Sequence, residues 1–64
     1  MPIAEWELWA CANEVIRQHG HDAGIHAGQR ADELLLKGDI EGARTWMAII
    51  RRIGQLQSAN GRIQ

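Results

Sequence analysis

Apolar residues along this chain recur three to four positions apart in three successive segments, the spacing of a helix that buries one face. The segments are separated by Gly20-His21 and by Gly38-Asp39, residues that stop one helix and start the next. Helices are predicted over about 3–19, 22–37 and 40–57. There is no tyrosine or phenylalanine, β-branched residues are few, and no stretch alternates apolar with polar long enough for a strand. Links this short make sequential neighbours antiparallel, so the expected fold is all-α, a small three-helix up-down bundle.

The phase of each helix predicts its inner face. In the first, Leu8, Trp9, Ala12, Val15, Ile16 and His19 line one side. Glu7, Glu14, Arg17 and Gln18 lie opposite, and Trp6 falls on the flank shared with Asn13. The second turns Gly24, Ala27, Gly28, Ala31, Leu34 and Leu35 inward, small in its first half and large in its second, which leaves room for Trp9 or Trp46 to approach. The third stacks Gly42, Ala43, Trp46, Ile49, Ile50, Ile53 and Leu56 inward, with Arg44, Arg51 and Gln55 outside and Arg52 beside them. Gly20 is placed to end the first helix in a left-handed conformation. Asp22 and Asp39 are placed to cap the second and third. Residues 1–57 form the expected domain, and 58–64, with the turn-forming Asn60-Gly61, are expected to be a flexible tail unless a partner holds Ile63.

Composition narrows the class. A chain of 64 residues buries only about 60% of the surface it exposes when unfolded. At 45% hydrophobic and 23% charged residues it is nevertheless a folding sequence, not a disordered one. The single Cys11 cannot make an internal disulfide, so stability must come from packing, within the chain or against a second copy. Acids at Glu5, Glu7 and Glu14 break the pattern of a secretory leader, and no apolar run reaches the roughly 18 residues of a membrane span. A cytoplasmic protein is expected. The first 41 residues hold all eight acids against three basic residues, whereas residues 42–64 hold four arginines and no acid.

The run Glu7-Leu8-Trp9-Ala10-Cys11-Ala12, then His19-Gly20 with Asp22-Ala23, then Gly38-Asp39 followed by Gly42, Thr45-Trp46 and Ile49, resembles a family of short alphaproteobacterial proteins of unknown function. The resemblance covers nearly the whole chain outside the tail. It implies a small all-helical protein and transfers no catalytic residue. The chain departs from the family pattern at Gly24 and Ala31, where a bulkier residue is usual, which bears on how the second helix packs.

Residues 19–29, HGHDAGIHAGQ, crowd three histidines beside an aspartate, the raw material of a metal site. Zinc needs about four converging ligands, and ligands on one helix must share a face. His19 and His21 straddle the helix break and His26 is phased outward, so the imidazoles are expected to point apart and no metal is expected. Cys11 has no histidine on its face and acids nearby, which favour the thiol over the thiolate. Carboxylate pairs such as Glu5 with Glu7 diverge around their helix. No phosphate loop, serine triad or metalloprotease motif occurs. Neither an enzyme, a cofactor nor a small-molecule substrate is expected.

Two surfaces remain. A basic third helix raises the helix-turn-helix motif, but the position six residues after Gly38, which that motif buries, is Arg44, so the motif fails. What survives is phosphate contact by Arg44, Arg51 and Arg52, the signature of a nucleic-acid accessory protein. The other surface is Trp6, off the main stripe with Ile3 and Ala10 on the same side. A tryptophan carries too much apolar area to be left in water without a use, so Trp6 either covers the bundle's rim beside Trp9 or sits in an interface. The leading expectation is a non-enzymatic protein-protein interaction module, a homodimer in its simplest form, that uses Ile3, Trp6 and Ala10.

Overall fold

The computed structural model describes residues 4–61, with side chains through Ser58. Its elements are α1 (Glu5–His19), a 3₁₀ turn (Gly20–Asp22), α2 (Ala23–Leu36) and α3 (Ile40–Gly61). Among the described residues there is no strand. Helical residues run without interruption from 5 to 36 and again from 40 to 61. The three separate helices expected from the sequence therefore come as two continuous runs, the first bent at Gly20.

Each boundary has a local cause. Ala4 is extended (φ −68°, ψ 152°), and its N–H donates to Glu7 Oε1 at 2.9 Å, the backward half of a capping box. That starts α1 two residues later than predicted. At Gly20 the backbone adopts φ 59°, ψ −127°, a region closed to residues with a Cβ. The chain turns there, but the Ala23 N–H donates to the Gly20 carbonyl, so the helical hydrogen-bond run resumes with no loop. Asp22 makes no side-chain cap: it lies inside the turn, with φ −88° and ψ 6° in place of the extended backbone of a capping residue.

The second break is a Schellman motif. Gly38, at φ 84°, donates its N–H to Leu35 O at 3.0 Å, and the Asp39 N–H reaches Leu34 O at 2.8 Å. Asp39 caps α3 as expected, Oδ1 accepting from the Gly42 N–H at 3.0 Å. Gly42 is required for this geometry, because a Cβ there would sit 2.5 Å from Asp39 Oδ2. At its other end α3 continues through Gly61, four residues beyond the predicted limit. Serine, alanine and asparagine cost at most about 0.7 kcal/mol each in a helix, less than is needed to stop one already propagating.

Contacts between elements fix their arrangement. Arg30 lies over the Trp46 ring at 6.0 Å, and Gln57 Nε2 donates to Gly20 O at 2.9 Å. These two pairs have the same antiparallel register, so α2 and α3 form a hairpin that extends back through the 3₁₀ turn. α1 does not simply run alongside it. Its start is bound to α3 through Glu5 and Arg52, and its end, at Gly20, is bound to α3 by Gln57. Fifteen residues of α1 span roughly 22 Å, whereas Arg52 to Gln57 spans about 7–8 Å. α1 therefore crosses the C-terminal half of α3 obliquely, which the up-down expectation did not anticipate.

The core sits at this crossing: Leu8, Ala12 and Val15 of α1, Ala23 and Ala27 of α2, Ile49 and Ile53 of α3. These are the predicted stripes, with Ala23 added because the 3₁₀ turn advances the phase of α2. It is a small core, in which Ile53 is the one large side chain that is completely buried among the described residues. The crossing also leaves the other half of the hairpin uncovered. Leu35, predicted inward, is exposed, as are Leu36, Ile40 and Met47. The small face of α2 is divided: Ala27 and Ala31 are buried, whereas a Cβ added to Gly24 or Gly28 would meet nothing within 4 Å, so neither Trp9 nor Trp46 closes on the glycines.

Candidate interaction surfaces

The outer side of α1 carries Trp6 and Ala10 on one row, both exposed. Trp6 is 70% exposed. Ile3, expected on the same side, lies outside the described residues. Glu7 and Glu14 flank this row at two-turn spacing, about 10.5 Å. The Glu14 carboxylate is held by Arg17 Nε and Nη2 at 3.1 and 2.5 Å and by Gln18 Nε2 at 2.7 Å. The Arg17 hydrogen bonds, then that of Gln18, lower the Glu14 pKa, and the Arg17 pKa rises in return. Glu14 thus stays ionised to lower pH than an ordinary glutamate, its charge balanced by Arg17 one turn on.

The three arginines of α3 do not form one patch. Arg44 and Arg51 are exposed and seven residues apart, on one row of the outer face with Ile40 and Met47. Neither holds an ion pair among the described residues. Arg52 is engaged elsewhere. Its Nη2 donates to the Glu5 carboxylate, its guanidinium covers the Trp9 ring at 5.1 Å, and its Nε is buried without a partner. Its side chain is only 17% exposed, so it acts as a clasp between α3 and the start of α1. Trp9 and Glu5 draw Arg52 inward, Glu5 from 47 positions away in the sequence, a pairing no local pattern encodes.

The histidines correct the sequence reading in one respect. His19 and His26 do not point apart: their rings stack with centroids 3.8 Å apart and planes 20° from parallel. The 3₁₀ turn is the reason, since it carries α2 on from α1 with no loop and brings two residues seven apart onto a shared side. His21 is exposed and is not part of the stack. Among the described residues no group of three or more His, Cys, Asp or Glu is arranged to hold a metal ion. Cys11 is a half-buried thiol packed against the core. No helix among the described residues is long and apolar enough to cross a membrane.

Comparison with known proteins adds a single relation. Residues 4–61 match the model of a family of unknown function, DUF6961. No curated protein and no solved structure matches the chain.

Proposed function

Because the chain belongs to this family of unknown function, its activity has to be read from its own surface, and we propose that it is a non-enzymatic protein-binding module, self-association included. It docks through the outer face of α1 around Trp6 and Ala10, with Ile3 as a further contact. The observation that carries this reading is the 70% exposure of Trp6. A tryptophan presents 150–250 Å², so covering the exposed part is worth about 3–4 kcal/mol. A 64-residue domain has only about 3–9 kcal/mol of stability in all. A chain with so small a core, leaving one of its three tryptophans outside, gains most by covering it with a partner.

The test is photo-crosslinking from benzoylphenylalanine placed at Ala10, in the cell from which the protein comes. The reading expects an adduct with a polypeptide, either a second copy or another protein, that disappears when Trp6→Ala is added. A folded chain that forms no polypeptide adduct contradicts it. The second reading, phosphate contact through Arg44, Arg51 and Arg52, rests on fewer groups, since Arg52 is committed to Glu5 and Trp9. Two free guanidiniums remain, and absence of binding to mixed DNA and RNA at low ionic strength removes it.

A further inference from the structure

The outer face of α3 is a second unpartnered surface, and its chemistry is the counterpart of the α1 face. Ile40 and Met47 are 49% and 44% exposed and seven residues apart, so they lie on one row about 10.5 Å from each other. Arg44 and Arg51 follow the same two-turn spacing on the same row, exposed and without an ion pair among the described residues. On α1, Trp6 and Ala10 supply apolar area, and Glu7 and Glu14 supply carboxylates, again seven residues apart. The α3 face is apolar and basic; the α1 face is apolar and carries two carboxylates, Glu7 and the Arg17-bound Glu14, and the charges of the two faces share a repeat. A helix laid along another in this register sets Glu7 and Glu14 against Arg44 and Arg51 while the indole enters between Ile40 and Met47. Paired flanking charges around an apolar seam are how helices choose a partner and fix their register. Glu41 lies one turn before Arg44, on the flank of the row and away from Arg51.

Resting on the reading of the α1 face given above, we infer that the partner is a second copy of this chain, which receives Trp6 on the Ile40–Met47 face of its α3. Charge complementarity argues for that occupant: the chain itself carries both halves of the match, with acids confined to residues 5–41 and an acid-free stretch from 42 onward. The geometry decides the type of assembly. α1 and α3 bury Leu8, Ala12, Val15 and Ile49, Ile53 against one another, so their outer faces look away from each other. One copy cannot easily offer both faces to the same neighbour. The contact is therefore head-to-tail, α1 of one copy on α3 of the next, and it builds a ring or an open chain in place of a symmetric dimer.

Two variants each disable one half: Trp6→Ala on the α1 face, and Arg44→Glu with Arg51→Glu on the α3 face. All three positions are exposed, and circular dichroism verifies the helices; if the double reversal loses helicity, Arg44→Gln with Arg51→Gln replaces it. In sedimentation velocity the unmodified chain is expected to grow in mass with concentration and each variant to stay monomeric. An equimolar mixture of the two is expected to form a 1:1 complex that grows no further, because one intact contact remains. Two variants that stay monomeric when mixed, or an unmodified chain that is monomeric throughout, overturn the inference. If the arginine variant assembles like the unmodified chain while Trp6→Ala does not, α3 is not the docking face, although the reading of the Trp6 surface stands. If the adduct from position 10 is with a different protein, the second copy is ruled out as occupant and the binding function is kept.

Discussion

Replacing Gly28 by alanine adds one methyl group to the middle of α2, at a point where a Cβ meets nothing within 4 Å. Glycine in a helix interior costs roughly 0.5–1 kcal/mol relative to alanine, because it has more backbone freedom to lose on folding. With no neighbour to displace, the substitution should recover that whole amount. For a chain of this size it corresponds to a rise in melting temperature of roughly 2–8 °C. Gly42→Ala is the matched control. Its Cβ would lie 2.5 Å from Oδ2 and 3.0 Å from Cγ of Asp39, so the carboxylate that caps α3 must move. Loss of such a cap costs about 0.5–2 kcal/mol, which cancels or exceeds the gain in propensity. Thermal unfolding followed by circular dichroism, at a concentration low enough to keep the chain monomeric, should show Gly28→Ala melting above the parent and Gly42→Ala at or below it. Equal shifts for the two, or a lower melting temperature for Gly28→Ala, would refute the claim that the space beside Gly28 is open.

Gly38→Ala should destabilise the chain by about 1–2 kcal/mol in denaturant titrations, since φ 84° strains any residue with a Cβ even in open space. Ile53→Ala, at a side chain with 1% exposure, should cost about 2–5 kcal/mol, enough to populate the unfolded chain at room temperature, visible as lost helicity. Glu14 should titrate below the ordinary carboxylate value of 4.5 in a carbon-detected NMR titration, and Arg17→Met should move it back up. Because the folded-state pKa is the lower one, the Arg17–Glu14 contribution is complete above that ordinary value and disappears as pH falls through the folded pKa. For so exposed a pair it should be a small effect, and one that added salt weakens.

Local features of this fold were legible in the sequence, and features that depend on how helices are aimed were not. The stripes Leu8–Ala12–Val15 and Ala43–Ile49–Ile53 follow from helical period alone, and all six residues are buried. Gly38 and Asp39 do what their chemistry predicts, because a left-handed glycine and a capping carboxylate act within a few residues. Asp22 fails as a cap for a reason of the same range: the 3₁₀ turn at Gly20 holds its backbone out of the extended conformation a cap needs. That turn also sets the direction of α1 relative to α2, which no angular count along one helix can supply. From it follow the His19–His26 stack and the exposure of Leu35. The Arg52–Glu5–Trp9 clasp was hidden for another reason, since its members are distant in sequence and meet only once α1 lies across α3. Of the candidate surfaces, Trp6 was recognised because it sits off its own helix's stripe. The α3 face was read only for its arginines, and the part played by Ile40 and Met47 emerges once the uncovered half of the hairpin is seen.

The most direct test of the account is to compare the unmodified chain with Trp6→Ala for both melting temperature and sedimenting mass. A side chain that projects from the domain to meet a partner predicts an unchanged melting temperature at dilution, together with loss of association as concentration rises. A melting temperature that falls steeply at dilution, with mass unaffected, would mean that the indole belongs to the chain's own core, and the docking surface would not exist.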